Sequence, residues 1–170
     1  MCGCHLSPDE YGLPITLGSS SGDIRHILGS PDESFKSPAN DRITVEWYYS
    51  HGLVVDLERD QVVTIQIPPD IADYKGFLAY TGPIVRGLKL TDSKTKYLKT
   101  LGEPAKIEND ALAAGTNPDI PVVWPKESVY YWRLRDYMVR VDFLNQAQDI
   151  SEAKHITLPR DAVTTILIRR

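Results

Sequence analysis

The sequence predicts an α+β protein built as two tandem repeats, each a short helix or helix pair packed on an antiparallel sheet of three to four strands. Three observations predict it. Residues 15–31 and 88–104 repeat one another without a gap. Apolar residues alternate with polar ones in the stretches after each copy, the period of a half-buried strand. A Gly and a Pro follow each expected helix at matching places, where a left-handed residue ends a helix and a ring prevents its continuation. With 170 residues, 42% of them hydrophobic, the chain can bury a core and is too apolar for a disordered segment.

Residues 1–11 read as a flexible leading segment. Both cysteines lie there, in Met1-Cys2-Gly3-Cys4-His5. Two clustered cysteines make neither a disulfide scaffold nor the paired spacing of a zinc site. Cys2 also suits the lipid-bearing cysteine left by signal cleavage, which would tether the chain to a membrane. No apolar signal core stands before it. The chain as given therefore reads as cytoplasmic, and as periplasmic and lipid-anchored if a signal peptide lies upstream.

The first repeat spans residues 12–68. An apolar stub leads to Ser20, able to cap a helix by accepting from free backbone N–H groups. Ile24, Ile27 and Leu28 then form one stripe, and Gly29 and Pro31 stop the helix. Strands follow, with Ile43, Val45, Trp47, Tyr49, Leu53, Val55, Leu57, Val63, Ile65 and Ile67 expected on one buried face. Residues 69–87 form a linker whose middle, Ile71 to Tyr80, suits a further helix.

The second repeat spans residues 88–170. Ser93 matches Ser20; Tyr97, Leu98 and Leu101 form the stripe; Gly102 and Pro104 stop it. The downstream match sets Val45-x-Trp47-x-Tyr49 against Tyr130-x-Trp132-x-Leu134, and Leu53-x-Val55-Asp56 against Val139-x-Val141-Asp142. Val62 to Ile67 matches Val163 to Ile168. Insertions fall in the stretches 105–127 and 145–161, where loops absorb added length at small entropic cost.

Candidate chemistry is thin. Gly18-Ser19-Ser20-Ser21-Gly22 has the Gly-x-Ser-x-Gly form of a nucleophile elbow, with His155 as a conceivable base. The second copy, Thr91-Asp92-Ser93-Lys94-Thr95, keeps the capping ability and loses the glycines, so Ser20 reads as a cap before it reads as a hydrolase nucleophile. The four histidines share no short ligand spacing. No catalytic residue, cofactor or metal is assigned. With 19 basic against 23 acidic residues there is no general attraction to nucleic acid. No apolar run approaches the about 18 residues that span a bilayer.

The capped helix ending in Leu28-Gly29-x-Pro31 and Leu101-Gly102-x-Pro104, the Trp/Tyr-rich strand, the alternating hairpin and the closing Val-x-x-Ile strand together resemble the helix-plus-meander modules of BamE-type (SmpA/OmlA) outer-membrane lipoproteins. In tandem they are similar to the β-lactamase inhibitor protein family and to duplicated immunity proteins found beside bacterial toxins. The chain departs from the Gly-Met-Thr start of such helices and lacks the disulfides of the secreted inhibitors. The resemblance implies a non-enzymatic protein-binding module of inhibitor or immunity type, or an envelope lipoprotein with a scaffold role. The partner would be a toxin, an enzyme or an envelope complex.

Strand parity then gives the expected contact surface, the sheet face turned away from the helices. Tyr48, Val54, Asp56, Tyr131, Arg133, Met138, Arg140 and Asp142 are its candidate partner-binding residues. Tyr, Arg and Met are the residue types enriched in protein interfaces.

Overall fold

The computed structural model describes residues 12–68, 76–111, 127–151 and 156–170. Helix α1 (Ser21–Leu28) starts from Ser20, whose hydroxyl accepts from the Asp23 backbone N–H at 3.1 Å while the Asp23 carboxylate accepts from the Ser20 N–H at 3.2 Å. This reciprocal cap satisfies N–H groups that the first turn leaves without a helical partner. Helix α2 (Lys94–Leu101) starts from Ser93, which accepts from the Lys96 N–H at 3.3 Å. Gly29 and Gly102 terminate them with φ of 84° and 81°.

The strands are β1 (Glu33–Ser37), β2 (Asn40–Tyr48), β3 (Leu53–Glu58), β4 (Gln61–Ile67), β5 (Lys106–Ala111), β6 (Glu127–Leu134), β7 (Tyr137–Leu144), β8 (Gln148–Ser151), β9 (Ile156–Leu158) and β10 (Val163–Arg169). Eight of them form one antiparallel sheet, ordered β1-β2-β3-β4-β10-β7-β6-β5. The expected sheets of three to four strands are not separate: β4 and β10 pair at the centre, Ile65 opposite Ile168 and Ile67 opposite Ile166. The outer strands β1 and β5 are also new. Glu33–Ser37 holds a single large apolar residue, Phe35, and β5 lies in the stretch expected to be an inserted loop. The hairpin β8–β9 occupies the other expected insertion.

One face of the sheet carries the main core. Ile24 and Leu28 of α1 and Tyr97 and Leu101 of α2 pack there with Leu53, Val55, Leu57, Ile65 and Ile67. The other half of the sheet adds Trp132, Val139, Val141, Phe143, Ile166 and Ile168. Burying each such side chain is worth about 1.5–3 kcal/mol.

Strand β2 departs from the expected parity. Trp47 and Tyr49 lie in a second cluster with Val54 and Phe77, fringed by Phe35 and Val45, while Tyr48 joins the main core. Register is the cause: Glu46 opposes Val55 and Tyr48 opposes Leu53, so Glu46 and Tyr48 share the helix side. A 3-10 turn, Tyr49–His51, and left-handed Gly52 separate β2 from β3. The alternation therefore does not run on through the connection. Glu46, 1% exposed, is held there by Arg25 Nη2 at 2.6 Å and by the Tyr48 hydroxyl, which donates at 2.7 Å. A register shift between β3 and β4 likewise turns Val62, rather than Val63, into the core.

Within the expected linker, residues 76–87 form no helix and carry one isolated bridge, Val85 to Leu88. The earlier part of the expected linker helix, the leading segment with Cys2, Cys4 and His5, and His155 lie outside the described residues. Among the described residues no helix is long and apolar enough to cross a membrane.

Candidate protein-binding face

The sheet face away from the helices has two unlike halves. One row crosses it through successive opposed residues: Glu33, Trp47, Val54, Gln66, Leu167, Arg140, Tyr131 and Lys106. Side chains directly opposite on one face are close neighbours, so these groups stand side by side across the sheet.

On the β1–β3 side the row is covered. Phe77 meets Trp47 and Tyr49 edge-on, with ring centroids 6.0 Å away in each case. Trp47 and Tyr49 meet at 6.2 Å and 82°. Backbone holds the cover in place, since Leu78 N–H donates to the Tyr49 carbonyl at 2.9 Å. Val54 is buried beneath it.

On the β5–β7 side the row is charged and partly exposed among the described residues, while Val129, Asp142 and Leu144 on the same face are buried. Asp142, 2% exposed, accepts two bonds from Arg140, Nε at 2.7 Å and Nη2 at 2.6 Å. Burial pushes the Asp142 carboxyl above the ordinary carboxylate range, and the Arg140 pair opposes that shift. The Arg140 guanidinium stands 6.0 Å from the centroid of the Tyr131 ring, a cation–π contact. The Tyr131 hydroxyl donates to Glu108 at 2.9 Å, and Lys106 also pairs with Glu108. Those two bonds, Lys106 first, hold the Glu108 carboxyl below its usual value.

Beside this network a shallow cleft of about 380 Å³ is lined by Lys106, Tyr131, Arg133, Met138 and Arg169. Met138 lies between Arg133 and Arg169 in the ladder. Neither arginine forms an ion pair among the described residues.

Of the eight residues expected on this face, Tyr131, Arg133, Met138 and Arg140 lie together on the open half, with Asp142 beneath Arg140. Val54 is on this face but covered. Asp56 lies on β3, on the covered side, opposite Val45 and Thr64. Tyr48 is on the other side of the sheet, bonded to Glu46, for the register reason given above. Sequence reasoning missed Lys106, Glu108 and Arg169. The first two lie on unread β5, and Arg169 could have been found by continuing the β10 alternation past Leu167. Ser20, the alternative nucleophile, is the α1 cap and also donates its hydroxyl proton to Asp23 at 2.7 Å.

No family model matches the chain, and no curated protein matches it. Among solved structures the chain is similar to a DUF4309 family protein (YjgB) from Bacillus subtilis subsp. subtilis str. 168, with 14% identity and a TM-score of 0.41. The match covers 89% of this chain and 78% of that one. A likeness of that size carries no weight for fold or function.

Proposed function

We propose that the chain is a non-enzymatic protein-binding module of inhibitor or immunity type, and that it takes its partner on the open half of the helix-free face. The observation that carries this is the fixed Tyr131–Arg140–Asp142 group. A bidentate bond to a buried carboxylate orders Arg140 before any partner arrives. Preordered aromatic and arginine anchors lose little entropy on binding and are the groups on which interfaces concentrate their energy. Lys106, Arg133 and Arg169 around Met138 suit an acidic partner surface, although the chain as a whole carries a net charge of −4.

Two copies of one module underlie this face. The mirrored strand order supports that reading, as do the matching caps. So does a contact made by the first residue of each helix. Ser21 reaches Asp60 before β4, and Lys94 reaches Asp161 before β10 at 3.2 Å. Both aspartates are left-handed, with φ of 65° and 64°. In this alignment Trp132 corresponds to Tyr48, one residue from the match drawn on sequence alone.

The test is a photo-crosslinking residue placed at Arg133 in the cell that makes the protein, with the same residue at exposed Lys99 on α2 as control. A discrete protein adduct from position 133 alone is expected. Titration of that protein should then show binding weakened about tenfold or more by Arg140→Ala. No adduct at 133, or the same adducts at 99, would overturn the proposal.

A further inference from the structure

The helix side of the sheet differs between its halves. Over β6 and β7 the packing is apolar and closed: Tyr97 of α2 meets Phe143 edge-on at 5.7 Å, and Tyr130 stacks on Trp132 at 5.8 Å. Over β1 and β2 the same face opens into a cleft of about 560 Å³. Arg25 comes to it from α1, Lys36 from β1, Arg42 and Thr44 from β2, and Arg59 from the turn before β4.

The carboxylates lining this cleft are both engaged. Glu46 accepts from Arg25 and from the Tyr48 hydroxyl, and Asp60 accepts from the Ser21 hydroxyl. Arg42 and Arg59 form no ion pair among the described residues, and Lys36 donates to the Thr44 hydroxyl at 3.0 Å. Four cationic side chains thus converge on one concavity of an acidic chain, with their mutual repulsion only partly cancelled. The buried Glu46 adds an independent sign of construction. A carboxylate 1% exposed costs desolvation that an apolar residue would avoid. Here it fixes the guanidinium of Arg25, whose side chain is still 51% exposed, at the cleft wall.

We propose that this cleft binds a small anion bearing phosphate groups. Arginine forks match phosphate oxygens two at a time, and Arg42 and Arg59 have forks available. Arg25 is the oriented third donor, and Lys36 adds a point charge. The volume lies in the range of about 300–1,000 Å³ usual for small-ligand clefts. The site is on the opposite side of the sheet from the proposed protein-binding face and does not depend on it.

Pyrophosphate and inorganic phosphate are the probes, titrated calorimetrically into the full chain. A second arm uses vesicles containing phosphatidic acid, against phosphatidylcholine alone. Arg42 and Arg59 are both exposed, so R42Q/R59Q should keep the wild-type circular dichroism and melting temperature. One-to-one binding of pyrophosphate is expected, weakened about tenfold or more for each arginine removed, with R133Q/R169Q unchanged. Binding only to the phosphatidic acid vesicles, lost in R42Q/R59Q, supports the same site with the phosphate presented by a lipid. The proposal is overturned if neither probe binds, if R42Q/R59Q binds as well as wild type, or if R133Q/R169Q loses binding equally.

Discussion

Asp56 shows what a single buried group does to the pH dependence of the fold. Burial raises its carboxyl from 3.8 to about 6, and a hydrogen bond from Thr64 only partly opposes this. Between those two values the folded chain holds a proton that the unfolded chain has released. Stability at this site is therefore intact below the unfolded value and is lost as pH rises through the window. Asp56→Asn keeps the shape and removes the charge. It should be more stable than wild type at pH 7 by about 1–2 kcal/mol, with the difference vanishing below about pH 4. Urea midpoints of both proteins across that range check it. An asparagine variant less stable at pH 7 would mean that the carboxylate has a stabilising partner. Asp142 is more deeply buried and its carboxyl is raised by burial as well, but there the paired Arg140 opposes the shift, whereas at Asp56 only the Thr64 hydroxyl does.

At the scale of the element, the connection from β2 to β3 decides which face each aromatic residue meets. Gly52 has φ of 64°, and a Cβ there would lie 2.3 Å from the Leu78 carbonyl oxygen and 2.5 Å from the Tyr80 nitrogen. Gly52→Ala should therefore cost about 2 kcal/mol or more. It should also red-shift tryptophan emission in the folded baseline as the Phe77 cover lifts from Trp47. Wild-type stability with unchanged emission would show that the cover does not lean on this turn. The same connection limited what the sequence could reveal. Alternation in Tyr137–Leu144 and Leu53–Glu58 marks the helix-side face, because Val139, Val141 and Phe143, and Leu53, Val55 and Leu57, share one parity, while Val54 and Leu144 are buried on the other. In β2 both parities are apolar: Val45 and Trp47 on one side, Tyr48 on the other beside a glutamate that reads as solvent-facing. Nothing local marks Glu46 as buried, since its reason for being so is Arg25, a helix away. Of the proposed binding face, Tyr131, Arg133, Met138 and Arg140 were legible by parity. Lys106 and Glu108 were not, since a short charged edge strand has the composition of a loop.

For the whole molecule, the β4–β10 ladder is the joint. Ile65, Ile67, Ile166 and Ile168 sit at the centre of one core reached by both helices, so neither half can open that ladder without exposing the other. Two halves that met only at a surface would unfold as separate domains; halves whose central strands pair within one sheet cannot. The full chain should unfold in one transition, with far-ultraviolet circular dichroism and tryptophan emission giving the same urea midpoint. Ile166→Ala, at a fully buried position in this joint, should cost about 2–5 kcal/mol and move both signals together. If instead the two signals separate, or the substitution shifts one alone, the halves are independent folding units. The mirrored strand order would then describe their connectivity without describing how they are stabilised.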